Sequence, residues 1–275
     1  MASAPPPSAD DWARAATAYE RWAAPLTAQY VPEVLAAAAP IGPGTRVLDI
    51  ATGTGGAAVA AAATGATVLA TDISPQMLTA AAKALEPYKS TATATLADGT
   101  ALEVPDGSYD VVLSVFGIVT FPAWEAGLRE AVRATAPGGR LVLATWTCAD
   151  GAAFFPTFMD TYRKTFSDKP SPALGPGVAA LNTPAKVTAA LTAAGAERIT
   201  VQSVEHTWVG PPAEGAAREL TGLMERAPFY TALTEDEREV LLPRLEAELG
   251  HHAGDDGILR IPSTALVTLA HKPAA

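Results

Sequence analysis

The run Val47-Leu48-Asp49-Ile50-Ala51-Thr52-Gly53-Thr54-Gly55-Gly56 constrains this chain more than any other stretch. An apolar strand enters a glycine turn, and the turn opens an alanine-rich helix. A second apolar run then ends on Asp72, 19 positions after Gly53. This is the pattern of a nucleotide-binding βαβ unit. Gly53 and Gly55 permit a tight turn with φ > 0 and leave the backbone bare toward a ligand. The helix N-terminus that follows presents unpaired N–H groups and partial positive charge. At its strand end, Asp72 offers two oxygens for the two hydroxyls of a ribose.

The alternation continues downstream. Strands are expected at Arg46–Ile50, Thr67–Thr71, Thr91–Ala97, Asp110–Val115 and Arg140–Trp146. Helices are expected at Gly55–Ala63, at Pro75–Leu85 with Ser74 as its cap, and at Pro122–Ala134. Pro137-Gly138-Gly139 reads as the turn into the fifth strand. After Trp146 come helices from Thr183-Pro184 to Gly195, over Ala213–Ala227 and over Thr234–Leu249, then strands at Glu197–Val209 and Ile258–Ala270. At the front, a helix capped by Asp10 or Asp11 runs to about Ala24, where Pro25 kinks or ends it, and Val31–Ala39 forms a second. The fold class is therefore α/β: a Rossmann-like doubly wound sheet, mostly parallel with an antiparallel last strand, plus helical lid insertions. The expected organisation is an N-terminal helical lid over residues 1–40 and a cofactor-binding domain over 41–275, with helical insertions at about 150–183 and 211–256.

Three kinds of cofactor compete for the glycine loop. With Ala58, Gly53 and Gly55 also satisfy the looser dinucleotide fingerprint, so an NAD-dependent oxidoreductase must be weighed. Against it, Asp49 ends the strand before the loop, where a carboxylate repels a pyrophosphate and suits an ammonium group. Asp98-Gly99 falls after the third strand, where a base would lie, and no Tyr-x-x-x-Lys pair is present. A phosphate-binding P-loop is excluded because no Gly-Lys-Ser/Thr follows the glycines.

These residues resemble the class I S-adenosylmethionine (SAM)-dependent methyltransferases. Val47–Gly55 looks like the first motif of that family and Thr71-Asp72-Ile73-Ser74-Pro75-Gln76-Met77-Leu78 like the second. Asp98-Gly99-Thr100-Ala101-Leu102, Pro105–Val112 and Ala136–Leu141 resemble later ones. The resemblance covers roughly residues 45–146 and is nearest to the ubiquinone/menaquinone-type branch. Ala51 departs from it, since the family usually has glycine there. The resemblance implies that SAM is the cofactor and S-adenosylhomocysteine the product. It implies that Asp49, Ala51, Thr52, Gly53 and Gly55 approach the methionine moiety, that Asp72 binds the ribose, and that Asp98, Gly99 and Thr100 border the adenine. Ile73 and Met77 would pack on the adenine, although ordinary core packing explains them equally well. Ser114 and Val115 would lie near the sulfonium, and Tyr19 and Trp22 would belong to a lid.

The acceptor is less constrained. A strand end reading Ser114-Val115-Phe116-Gly117 lacks the Asn/Asp-Pro-Pro-Tyr/Phe motif of DNA-base methyltransferases. A net charge of −10 likewise disfavours nucleic acid and anionic membrane partners. A small-molecule acceptor follows, with Trp22, Phe116, Phe121, Phe154 and Phe158 as candidate pocket residues. A phenolic acceptor would use a general base, for which His206 and His251, or the adjacent His252, are the candidates. The expected activity is methyl transfer to a small hydrophobic or aromatic metabolite, on oxygen, carbon or nitrogen. The alternative is a non-methylating, SAM-binding isomerase or cyclase of the same fold. The single cysteine, Cys148, reads as a buried small residue, and no Cys/His cluster has metal-ligand spacing. With no run of 18 apolar residues and no leader pattern, a cytoplasmic enzyme, monomeric or homodimeric, without membrane insertion is expected.

Overall fold

A computed structural model describes residues 9–147, 152–172 and 175–274. The expectation for Cys148 lies outside the described residues.

Seven strands form one sheet: β1 (Arg46–Ile50), β2 (Thr67–Asp72), β3 (Ala92–Leu96), β4 (Tyr109–Val115), β5 (Thr135–Trp146), β6 (Glu197–Pro212) and β7 (Ile258–His271). Their spatial order is β3-β2-β1-β4-β5-β7-β6. The first five pair in parallel, and β7 runs antiparallel between β5 and β6. The order reverses at β1 and β4, and the glycine loop leaves β1 at that switch point, where open α/β sheets bind ligands. Both faces of the central strands are buried. Val47, Val111, Leu113 and Val142 face one core, and Leu48, Ile50, Val112, Leu141 and Leu143 face the other. Such strands read as continuous apolar runs because helices cover both sides.

The covering helices carry their start signals in the sequence. The helix α1 (Ala9–Ala18) is followed by a π turn (Tyr19–Ala23), α2 (Ala24–Ala28) and α3 (Val31–Ala38). The glycine loop opens α4 (Gly56–Ala63), and Ser74 accepts from the Met77 N–H to cap α5 (Pro75–Leu85). Next come α6 (Trp124–Ala134), α7 (Phe155–Thr165), α8 (Pro176–Ala180) and α9 (Pro184–Ala193), the last capped by Thr183. Between β6 and β7 lie α10 (Ala216–Leu220), α11 (Pro228–Thr231) and α12 (Glu235–Gly250). Thr234 and Glu237 form a reciprocal capping box at the start of α12.

Two local expectations are corrected, and one of the two alternatives at Pro25 falls away. Pro25 does not end the first helical segment. The chain widens into the π turn, where Ala24 N–H reaches Tyr19 C=O, and Pro25 then sits in the first turn of α2, where its missing N–H costs little. Pro137–Gly139 lie within β5, as an irregularity between the pairs Tyr109–Thr135 and Val111–Arg140, instead of preceding the strand. The single helix expected over 213–227 is split into α10 and a 3₁₀ segment, Thr221–Arg226.

Strand β7 outruns its inner neighbour. Its pairing with β5 ends at Ala265, opposite Trp146, while Ile258–Thr264 pair with β6. This two-stranded arm projects past the sheet and packs against the N-terminal helical segment. Among the described residues no helix is long and apolar enough to cross a membrane.

Candidate cofactor and acceptor site

The glycine loop is shaped by left-handed backbone. Ala51, Gly53 and Gly55 have φ of 57°, 57° and 91°. At Gly55 a side chain would also meet the Ala81 backbone at 3.2 Å, so α5 requires glycine there. Ala51 adopts the left-handed conformation without being glycine, at a cost on the order of 1 kcal/mol. Room for its methyl group comes from across the sheet: a Cβ on Gly117 would lie 2.6 Å from that of Ala51. The alanine that departs from the family pattern therefore depends on a glycine after β4.

Two carboxylates flank this loop. Asp72 is 8% exposed and accepts from the N–H groups of Gly53 and Ser74, both at 2.9 Å. One bond locks the loop to β2 and the other starts α5. Its side chain faces a cavity of about 300 Å³. Burial raises its pKa, against the lowering effect of the two N–H groups. Asp49 is 1% exposed and accepts the Thr52 hydroxyl at 2.6 Å on Oδ2, while its Oδ1 has no hydrogen-bond partner within the protein. Desolvation pushes its pKa up to about 7, only partly offset by the Thr52 hydroxyl. A buried, half-satisfied carboxylate is costly unless a donor or cation completes it. Asp49 and Thr52 line a second cavity, of about 240 Å³, that adjoins the first at Tyr19, Ala51, Thr27 and Val115.

The structure brings most of the candidate residues together. Ala51, Gly53, Asp72, Ile73, Met77 and Val115 line the larger cavity, as do Asp98, Gly99 and Thr100. Asp98 accepts from both the N–H and the hydroxyl of Thr100, which aims its carboxylate at the cavity edge. Met77 is buried, whereas Ile73 is 47% exposed, an orphan apolar surface at the rim. Aromatic rings line the same space: Tyr19 lies over the glycine loop, Phe121 packs beside Gly99, and Trp22, Phe116 and Phe154 line the wall as well. Phe116 has φ of 59° and stacks on Trp146 at 3.7 Å and 15°.

Other candidates stand elsewhere. Ser114 does not face the cavity; its hydroxyl donates to Ile50 C=O and accepts the Ile118 N–H, so it ties β4 to β1. Phe158 is fully buried, with its ring against Phe229 and Tyr230 of α11. His206 lies outside the cavity wall, where it pairs with Glu33 at 3.1 Å and abuts the Tyr30 ring. His251 is exposed at the end of α12, with His252 beside it. Neither histidine candidate is placed to take a proton in the cavity. Phe155, from the aromatic run 154–166, lines the wall too, and so do Trp12, Trp146, Trp208, Leu223 and Met224, which the sequence did not mark as pocket residues. Trp208 is the least expected, because it comes from the distant β6 arm. Among the described residues the wall of the larger cavity holds no lysine, arginine or histidine, and no cluster suited to a metal ion occurs.

Residues 47–139 match a family model described as a methyltransferase domain. An uncharacterized protein of Mycobacterium tuberculosis is 37% identical over 164 residues, covering 57% of this chain and 59% of that protein. A demethylmenaquinone methyltransferase of a Mycobacterium species is 41% identical over 118 residues, covering 43% of this chain and 49% of that protein. The matches thus span less than two thirds of the relatives' own length. The chain is also similar in fold to a Haemonchus contortus phosphoethanolamine N-methyltransferase solved with phosphomonomethylethanolamine and S-adenosylhomocysteine. That likeness has a TM-score of 0.54 at 20% identity, covering 89% of this chain and 52% of that one.

Proposed function

We propose that this chain, which carries a class I SAM-dependent methyltransferase domain, moves the methyl group of SAM onto a small, uncharged aromatic or otherwise hydrophobic acceptor. The observation that carries the reading is the composition of one continuous cavity. Its cofactor end presents Asp72, Asp98 and the bare glycine loop, and its other end is walled by Phe116, Trp146, Phe154 and Trp208 without a described cation. A phosphorylated or carboxylated acceptor would be desolvated against that wall with no cationic side chain to pair with it among the described residues, at a cost of several kcal/mol.

The residues fit SAM. Asp72 keeps a lone pair on each oxygen for the ribose hydroxyls beyond the two backbone bonds it already accepts. Asp49 Oδ1 is the free acceptor that an amino group in the adjoining cavity would satisfy. Ile73, Met77 and Gly99 offer a flat apolar slot for a base, with Asp98 at its edge. When bound, SAM supplies a methyl group on a positively charged sulfur. The protein's part is to place the acceptor atom in line with it and to exclude water. Alignment of this kind is worth about 7–11 kcal/mol where it is good. Phe116 and Trp146, stacked and fixed by a left-handed backbone, give the acceptor a rigid wall to lie against. Neither histidine candidate lines the cavity, which favours an acceptor that arrives as a competent nucleophile.

The test is methyl-labelled SAM incubated with the full chain and a panel of phenols, hydroquinones and their phosphorylated or carboxylated counterparts. Label transfer to uncharged members with release of S-adenosylhomocysteine is the expected result. Preference for the anionic members, or acceptor turnover without release, would overturn the reading.

A further inference from the structure

The N-terminal segment from Tyr19 to Glu33 crosses the cavity, and it is fastened to the β6–β7 arm by side chains. Gln29 Nε2 donates to Thr207 C=O at 3.0 Å, Tyr30 Oη donates to Ser263 C=O at 2.6 Å, and His206 meets Glu33 at 3.1 Å. The tie nearest the cavity is Trp208. Its indole N–H donates to the Trp22 carbonyl, inside the π turn, at 2.9 Å. Its ring meets Trp22 edge-on at 6.4 Å and Phe154 at 6.0 Å. It is 1% exposed, and Gly210 leaves it no freedom, since a Cβ there would lie 2.5 Å from the ring. The π turn that it holds carries Tyr19, whose hydroxyl sits 3.3 Å from where a Cβ on Gly53 would be. One side chain on the outermost strand thus sets the height of the turn above the glycine loop.

We propose that Trp208 is a positioning residue that holds the Tyr19–Ala23 turn down over the cofactor, through its N–H to Trp22 and its ring in the cavity wall. This rests on the reading of the cavity as a SAM site. An indole buried at a core position needs only some carbonyl within reach. This one uses the carbonyl of a helix already widened by one residue, where the local ladder is weakest. The same ring forms part of the acceptor wall, so the arm that shapes one end of the cavity also fixes the cover of the other.

The experiment is amide hydrogen exchange on the full chain, with and without saturating S-adenosylhomocysteine, together with calorimetric affinity for that probe. Two variants are used: Trp208→Phe, and a site-specific 3-benzothienylalanine at position 208, which keeps the ring shape and removes only the N–H. Both should speed exchange of residues 19–28 about tenfold, the value of one buried hydrogen bond. Both should weaken S-adenosylhomocysteine binding several-fold, while exchange in α9 stays at the wild-type rate. Tryptophan reintroduced by the same suppression route should restore both. Wild-type exchange and affinity in the benzothienylalanine protein, or an equal loosening of α9, would overturn the proposal. If wild type itself fails to bind S-adenosylhomocysteine, the SAM reading falls, and the ligand-free exchange rates still decide whether Trp208 holds the turn.

Discussion

The two ends of the cavity are built in different ways. The proposed cofactor end comes from neighbours in sequence: the loop after β1, the acid ending β2 and the Asp98 turn after β3, all at one edge of a parallel sheet. The acceptor end is gathered from five remote places: the π turn, the segment after β4, the end of β5, the start of α7 and the β6 arm. The first is held by backbone hydrogen bonds to two carboxylates, and the second by ring contacts. A site made of local turns tolerates little change in any part, whereas a wall of stacked rings can be repacked. Specificity for the acceptor can therefore drift while the cofactor end stays fixed.

That contrast can be broken most decisively at Asp72. Asp72→Ala removes the proposed ribose contacts and frees the Gly53 and Ser74 N–H groups. SAM affinity should fall at least about 100-fold by calorimetry, given two charge-assisted bonds of roughly 1.5–3 kcal/mol each. A loss below threefold would show that the loop does not depend on it. Next in size is Gly117→Ala, whose new methyl would meet Ala51 Cβ at 2.6 Å and both Ile50 C=O and Ser114 Oγ at 2.9 Å. Denaturant unfolding should show about 2–3 kcal/mol of destabilisation. Combination with Ala51→Gly should return part of it, and strict additivity in the double-mutant cycle would disprove the coupling.

The third prediction concerns pH. Burial raises the folded-state pKa of Asp49 from the ordinary carboxylate range to about 7. Its contribution to folding stability is thus fully present below the unfolded value and declines as pH rises toward 7. Cofactor binding has the opposite sign, because an ammonium group needs the ionised carboxylate. Affinity for S-adenosylhomocysteine should rise about tenfold from pH 6 to pH 8, with proton release on binding below pH 7. Asp49→Asn should flatten that dependence, and a persistent slope would assign it elsewhere. Smaller still, Phe158→Leu should cost about 1 kcal/mol of stability and leave SAM affinity within twofold, since the ring packs away from the cavity. The least effect is expected for His206→Gln: the pH profile of turnover should keep its shape. Loss of the low-pH limb of that profile would restore that histidine as a catalytic base.

The strand, glycine turn and helix of the proposed cofactor end were legible in the sequence for the same reason that they are local. Strand, turn, helix and terminal acid are written consecutively, and each carries its own backbone logic. Helix starts at Ser74, Thr183 and Thr234 were legible too, because a cap is a contact three residues long. Ser114 shows a reading that strand alternation alone could have corrected. Successive side chains on β4 face opposite ways, so Ser114 and Val115 could not both face the cavity. Phe158 and Trp208 show what was not legible. Which side of α7 faces α11, and which ring on β6 reaches Trp22, depend on how distant elements pack. No signal within either segment reports it.

The place of β7 has a consequence for the order in which this protein assembles. The five parallel strands, β1 to β5, can pair in the order in which they are synthesised, each beside a strand already made. Strand β6 cannot, because its only partner is β7, which follows it after three helices. As the chain emerges from the ribosome, the exposed side of β5 and all of β6 wait for the last strand, and the aromatic end of the cavity waits with them. A nascent chain can thus own a nearly finished cofactor loop while it still lacks an acceptor chamber.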